Sequence, residues 1–129
     1  MIRNPRLAVF AAAGTGLILM LAAAQRPAAL AQTSGGLWEV MGQGRSPARI
    51  CVADTALLAQ WEHRQASCTR VVIRDTPTWA EIHYTCSGGG FGRSKVTLIT
   101  PRSLRIETQG IAGQTPFNYV VQARRVGGC

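Results

Sequence analysis

The sequence predicts a mainly β fold: a curved antiparallel meander of about six strands with one short helix and two disulfides. Three observations lead there. Runs rich in Val, Ile, Thr and Tyr follow one another from Cys68 to Val126, broken by Pro, Gly and Ser. The later runs alternate apolar and polar residues, the mark of half-buried strands. All four cysteines, Cys51, Cys68, Cys86 and Cys129, follow an N-terminal segment that reads as an export signal. In an oxidising compartment an even set of cysteines becomes a disulfide framework.

The signal has three parts. Arg3 and Arg6 precede an apolar stretch, Leu7–Ala24, interrupted only by Gly14, Thr15 and Gly16. Ala29-Leu30-Ala31 then places small residues before a break at Gln32, completing the order of a cleaved signal peptide. A second such site lies at Ala22-Ala23-Ala24. The later site is preferred, because Arg26 and Pro27 suit a helix-breaking c-region better than a mature start. The expected organisation is a cleaved signal over 1–31 and a single small β domain over 32–129. A retained anchor is the lesser reading, since the apolar run is short for a bilayer and rich in Ala and Gly. No cysteine lies near its end to carry a lipid.

Within the mature chain, Gly36–Gln43 is the first strand, followed by a Gly/Ser/Pro loop to Arg49. Asp54 is a helix cap, and Leu57, Leu58 and Trp61 fall on one face of the short helix behind it. Cys68–Asp75 and Thr78–Ser87 form a hairpin turning at Asp75-Thr76-Pro77. Arg93–Thr100 and Arg102–Gln109 form another, with Pro101 at its turn. Phe117–Val126 is the last strand. Leu104 and Ile106 oppose Arg105 and Glu107; Phe117, Tyr119, Val121 and Ala123 oppose Asn118, Gln122 and Arg124. The helix is expected to close part of the sheet's concave side.

Cysteine spacing selects a connectivity. Cys68 and Cys86 are equidistant from Pro77, so a symmetric antiparallel register sets them opposite one another, within bridging reach. Cys51 and Cys129 remain as the second pair. A zinc site lacks the usual paired C-x-x-C spacing, so no metal and no cofactor is expected. A domain of this size buries only about two-thirds of its unfolded surface, so the staples matter.

Candidate chemistry is sparse. The two histidines, His63 and His83, have no local nucleophile and read as surface residues. The six acids are scattered singly, with no pair placed for glycosidase chemistry. Ser87-Gly88-Gly89-Gly90-Phe91-Gly92 runs from strand to strand and lacks the Lys-Ser/Thr ending of a phosphate loop. It is a flexible connection first and a weak recognition candidate second, through Gly88, Gly89, Gly90 and Phe91. Trp38 and Trp61 read as core, while Trp79, beside a turn, is a candidate exposed anchor. Loss of Arg3, Arg6 and Arg26 with the signal lowers the net charge from +8 to +5. Outside the cytoplasm, anionic headgroups, polysaccharides or an acidic protein fit better than nucleic acid, and the remaining basic residues form no dense cluster.

Gly36-Leu37-Trp38-Glu39 opens the mature domain, Cys51 precedes the capped helix, Cys68 and Cys86 flank a hairpin, and Arg125-Val126-Gly127-Gly128-Cys129 ends the chain. This order resembles the small exported bacterial proteins of domain-of-unknown-function family 3617, over about residues 35–129. The resemblance implies a periplasmic or envelope location in Gram-negative bacteria, and it supplies no catalytic residue and no ligand. The helix opening Val52-Ala53-Asp54-Thr55 and the turn through Pro77 depart from the family pattern.

The expected function is therefore non-enzymatic: a monomeric periplasmic or secreted binding domain. An amphiphile would lie against Leu104, Ile106, Phe117 and Tyr119 if those residues are not simply core. A secreted inhibitor or protein-partner module, using Trp79 or the glycine loop, ranks second, and an unrecognised hydrolase last.

Overall fold

The structure, a computed structural model, describes residues 26–129 together with Ala11, Ala12, Gly14 and Gly16. The expected n-region, most of the apolar run and the Ala22-Ala23-Ala24 site lie outside the described residues.

Seven antiparallel strands form one open sheet, one strand more than expected. They are β1 (Gly36–Gly42), β2 (Arg45–Val52), β3 (Cys68–Asp75), β4 (Trp79–Cys86), β5 (Phe91–Thr100), β6 (Ser103–Ala112) and β7 (Thr115–Gly127). Their spatial order is β2-β1-β7-β6-β5-β4-β3. The meander from β3 to β7 follows the turn signals directly. The β1–β2 hairpin adds to the far side of β7, so the chain must cross the whole sheet between β2 and β3. That crossing carries a 3-10 helix, Thr55–His63, which packs on β4, β5 and β6.

Strand β2 occupies what the sequence suggests is a loop to Arg49. The chain reverses within Gly42-Gln43-Gly44, whose φ angles of 151°, 59° and 63° suit glycine and strain most other residues. Pro47 is tolerated because β2 is an edge strand whose register shifts between Arg45 and Ala48.

The cap reads as expected. The Asp54 carboxylate accepts from the Ala56 N–H at 2.9 Å, satisfying one orphan donor of the first turn. The helix itself is 3-10 and kinked at Gln60, where φ is −109° and ψ 41°. The buried Gln60 side chain repairs the kink: its amide donates to the His63 and Ala66 carbonyls and its oxygen accepts from Arg70. Together they fix the path from helix to β3.

Beneath the helix, Leu58 and Trp61 meet Trp38, Ile82, Val96, Leu104, Ile106 and Val121 in one core. Burial of each large apolar side chain contributes about 1.5–3 kcal/mol. One contributor stands outside the expected domain. Ala28–Ala31 forms a single helical turn, α1, against β4 and β5, with Ala29 and Leu30 fully buried. The expected domain start at Gln32 thus falls inside a packed segment.

Both expected disulfides are formed, Cys68–Cys86 and Cys51–Cys129. Cys68 and Cys86 are direct register partners, as the symmetric spacing about Pro77 requires. Disulfides of this kind persist in oxidising compartments outside the cytoplasm. No helix among the described residues is long and apolar enough to cross a membrane.

Candidate functional site

The register places two glycines where the inner face needs side chains. Tyr84 pairs with Gly92, Gly92 with Gly110, and Gly110 with Phe117, so the four lie in one row across β4 to β7. A Cβ on Gly92 would stand 2.5 Å from Tyr84 Oη, and one on Gly110 would stand 2.9 Å from Phe117 Cζ. Tyr84 therefore leans over Gly92, while Gly110 packs against the β5 backbone at Phe91 and Gly92 as well as the Phe117 ring, close approaches that only glycine permits.

His63, the last residue of the 3-10 helix, completes this end of the core. Its ring centroid lies 5.4 Å from that of Tyr84 and 5.8 Å from that of Phe117, and Phe117 in turn lies 5.7 Å from Tyr119. Tilted contacts at these distances are favourable for aromatic quadrupoles. His63 Nδ1 hydrogen-bonds Tyr84 Oη at 2.9 Å, and Tyr119 Oη donates to Glu62 Oε2 at 2.6 Å. The surface role expected for His63 is thus corrected: half-buried, it seals the core because a long-range partner, Tyr84, draws it in. His83 does face outward, 3.2 Å from Glu81.

The electrostatics of this cluster disfavour nucleophilic chemistry. Burial, reinforced by the nearby Glu62 carboxylate, pushes the Tyr84 phenol up to about 12. Burial, then donation to Glu62, pushes the Tyr119 phenol well above its ordinary range. Both keep their protons at neutral pH. His63 Nε2 is buried without a partner and lies against Gly90, where an added Cβ would strike the ring. All four cysteines are in disulfides, and no cluster of three or more metal-ligating side chains occurs among the described residues.

On the outer face of the sheet, across from the sealed cluster, a groove of about 730 Å³ opens. Phe91, Ile111 and Phe117 give it apolar walls, and Arg93, Gln109 and Asn118 give it a polar side. Phe91 and Ile111 are register partners, and Phe91 is 49% exposed. Arg93 is oriented from two sides: Nε lies 3.6 Å from a Glu81 oxygen, and the Gln109 side-chain amide lies against its guanidinium. The volume falls in the range of small-molecule sites.

The residues singled out from sequence divide accordingly. Gly90, Phe91, Phe117 and Tyr119 gather at the glycine end. Leu104 and Ile106 do not join them; both are 0% exposed beneath the 3-10 helix, which corrects the expectation that they could face an amphiphile. Trp79 lies near the opposite end of β4 on the outer face, with Lys95 Nζ 4.9 Å from its ring, so the expected free anchor is partly covered. Gly88 and Gly89 adopt φ of 93° and 96° in the β4–β5 turn, a conformation that explains them without a ligand. The sequence does not mark Tyr84, Arg93, Gly110 or Ile111, names Gly92 only within the glycine loop, and reads His63 as a surface residue. One signal was present: Gly92 and Gly110 each interrupt an inward-facing apolar or small-polar series, Ser94-Val96 and Ile106-Thr108.

The residues behind the family resemblance meet elsewhere, at the β1–β7 corner. Trp38 pairs with Arg125, and Arg125 Nε donates to the Gly35 carbonyl at 3.0 Å. Gly36 has φ 149°, and a Cβ there would stand 2.6 Å from the Arg125 guanidinium. These positions are structural, as is the adjacent Cys51–Cys129 bridge. In comparisons with known proteins, no family model, no curated protein and no solved structure matches the chain.

Proposed function

We propose that the protein is an exported, non-enzymatic binding domain that holds an amphiphile with an anionic head at the glycine end of its sheet. The groove walled by Phe91, Ile111 and Phe117 carries this reading. An alkyl chain lies on those residues, and the head meets Arg93 with Asn118 and His83 nearby. The protonated phenols and the covered His63 nitrogen support binding over catalysis. The disulfides and the resemblance to family 3617 support a periplasmic or envelope setting.

Titration with dodecyl phosphate and with dodecyl phosphocholine tests the proposal. Saturable binding of the phosphate is expected, weakened about tenfold by Phe91→Ser, with Arg93→Gln acting on the phosphate more than on the zwitterion, as loss of one charged contact implies. Absence of saturation, or equal affinity in all three proteins, contradicts it.

A protein partner is the second reading, favoured by one observation. Edge strand β3 exposes Val71, Val72 and Ile73 by 56%, 40% and 46%, and an apolar edge is a template for strand addition. On that reading Val71→Lys with Ile73→Lys abolishes a defined pairwise association while leaving amphiphile binding intact.

A further inference from the structure

We propose that the export signal is cut between Ala24 and Gln25, and that residues 25–33 remain as part of the mature domain. This rests on the export reading above. The reaction is hydrolysis: water adds across the Ala24–Gln25 peptide bond, leaving a carboxylate on Ala24 and an amino group on Gln25.

The segment after that bond is tied to separate parts of the domain. Arg26 donates to Thr55 Oγ1 at 2.8 Å and to the Leu30 carbonyl at 3.2 Å, and its Nε lies 3.5 Å from the Asp54 carboxylate. The Ala28 N–H donates to Asp75 Oδ1, at the end of β3, at 2.8 Å, and Gln32 Nε2 to the Pro77 carbonyl, in the β3–β4 turn, at 2.7 Å. Leu30 is 0% exposed and belongs to the central core. Thr55, also 0% exposed, finds its hydroxyl partners among the described residues in Arg26 and Thr33.

Cutting after Ala31 removes the Arg26, Ala28 and Leu30 contacts and leaves only those of Gln32 with Pro77 and Thr33 with Thr55. It leaves a void the size of Leu30 in the core and takes Arg26 from the buried Thr55 hydroxyl. A leader's last residues need only fit the peptidase and then depart; these residues cap a helix, a turn and a core. The Ala22-Ala23-Ala24 site has the same small-residue pattern as the later one, and cutting there leaves every contact intact. The mature chain then keeps Arg26 and carries +6, since only Arg3 and Arg6 depart from a total of +8.

The full chain is expressed in a Gram-negative host and the exported protein is measured by intact mass and N-terminal peptide. A start at Gln25, free or cyclised to pyroglutamate, is expected. Ala24→Leu should cause the uncut chain to accumulate, whereas Ala31→Leu, at an exposed position, should leave the Gln25 start unchanged. Leu30→Ala in the full chain should lower the melting temperature of the exported protein by roughly 10 °C or more. A start at Gln32, or processing that responds to Ala31 and not Ala24, overturns the inference alone. An uncut chain held in the cytoplasm overturns the export reading with it. An unchanged melting temperature in Leu30→Ala overturns the packing argument.

Discussion

The centre and the glycine end of the sheet's inner face are built from the same strands, yet they do opposite things. At the centre, Val96, Leu104 and Ile106 carry branched side chains to full burial under the 3-10 helix. At the other end of the same strands, β5 and β6 offer Gly92 and Gly110, and neighbouring rings must lean across to close the gap. Side-chain volume decides the difference. Where every inward position is filled, the sheet and helix seal into dry core. Where two adjacent positions are empty, the seal depends on Tyr84, Phe117 and His63, and the groove opens on the other face of the sheet, the face that carries Phe91, Arg93 and Ile111. An alternating pattern therefore identifies an inward face without saying how that face is filled.

The strongest way to break the comparison is to place a charge at the centre. Ile106→Asp should abolish cooperative unfolding, since a buried unpaired carboxylate costs more than about 4 kcal/mol; circular dichroism during a urea titration reports it. A folded, stable variant would mean that the centre is not sealed. Next comes the staple beside the glycine end. Replacing Cys68 and Cys86 together by Ser should cost about 3 kcal/mol from the short loop they close, read as a shift in urea midpoint.

Gly92→Ala sharpens the comparison directly. Its Cβ meets Tyr84 Oη at 2.5 Å and the ring at 2.6 Å, so a loss of about 1–3 kcal/mol is expected from overpacking, whereas an alanine at exposed Gly113, with open space around it, should act only through backbone strain. Equal effects from release of the ring would show that Tyr84 is not held over the glycine. The smallest effect is pH-dependent. Tyr84 ionises near 10 when unfolded and near about 12 when folded, so the stability tied to its protonated form is complete below about pH 10 and is lost as pH rises toward about 12. Tyr84→Phe should flatten that part of the curve while costing about 1 kcal/mol at neutral pH for the lost His63 hydrogen bond. A curve unchanged in slope would place the phenol in water.

Much of the scaffold was legible because it rests on local spacing. Equal distances of Cys68 and Cys86 from Pro77 set their pairing, Asp54 announced a helix start, and period-two alternation identified Leu104 and Ile106 as inward residues. Strand β2 was hidden because its Pro47 and glycine-flanked turn carry loop chemistry, and only its edge position makes them compatible with a strand. The site was hidden for another reason. His63 and Tyr84 are far apart in sequence, and the helix crosses the sheet to join them. Gly92 and Gly110 become meaningful only once β5 and β6 are in register, when two isolated glycines turn into one gap. Spacing within an element reads well; coincidence between elements requires the fold.

The most direct test of the central claim, that the glycine end and not the centre meets the ligand, is to map amide chemical shifts during titration with dodecyl phosphate. The account predicts that Phe91, Gly92, Arg93, Gly110, Ile111 and Phe117 shift together and saturate, while Val96, Leu104 and Ile106 stay still. Shifts centred on the 3-10 helix and Leu104, or none that saturate, would contradict it.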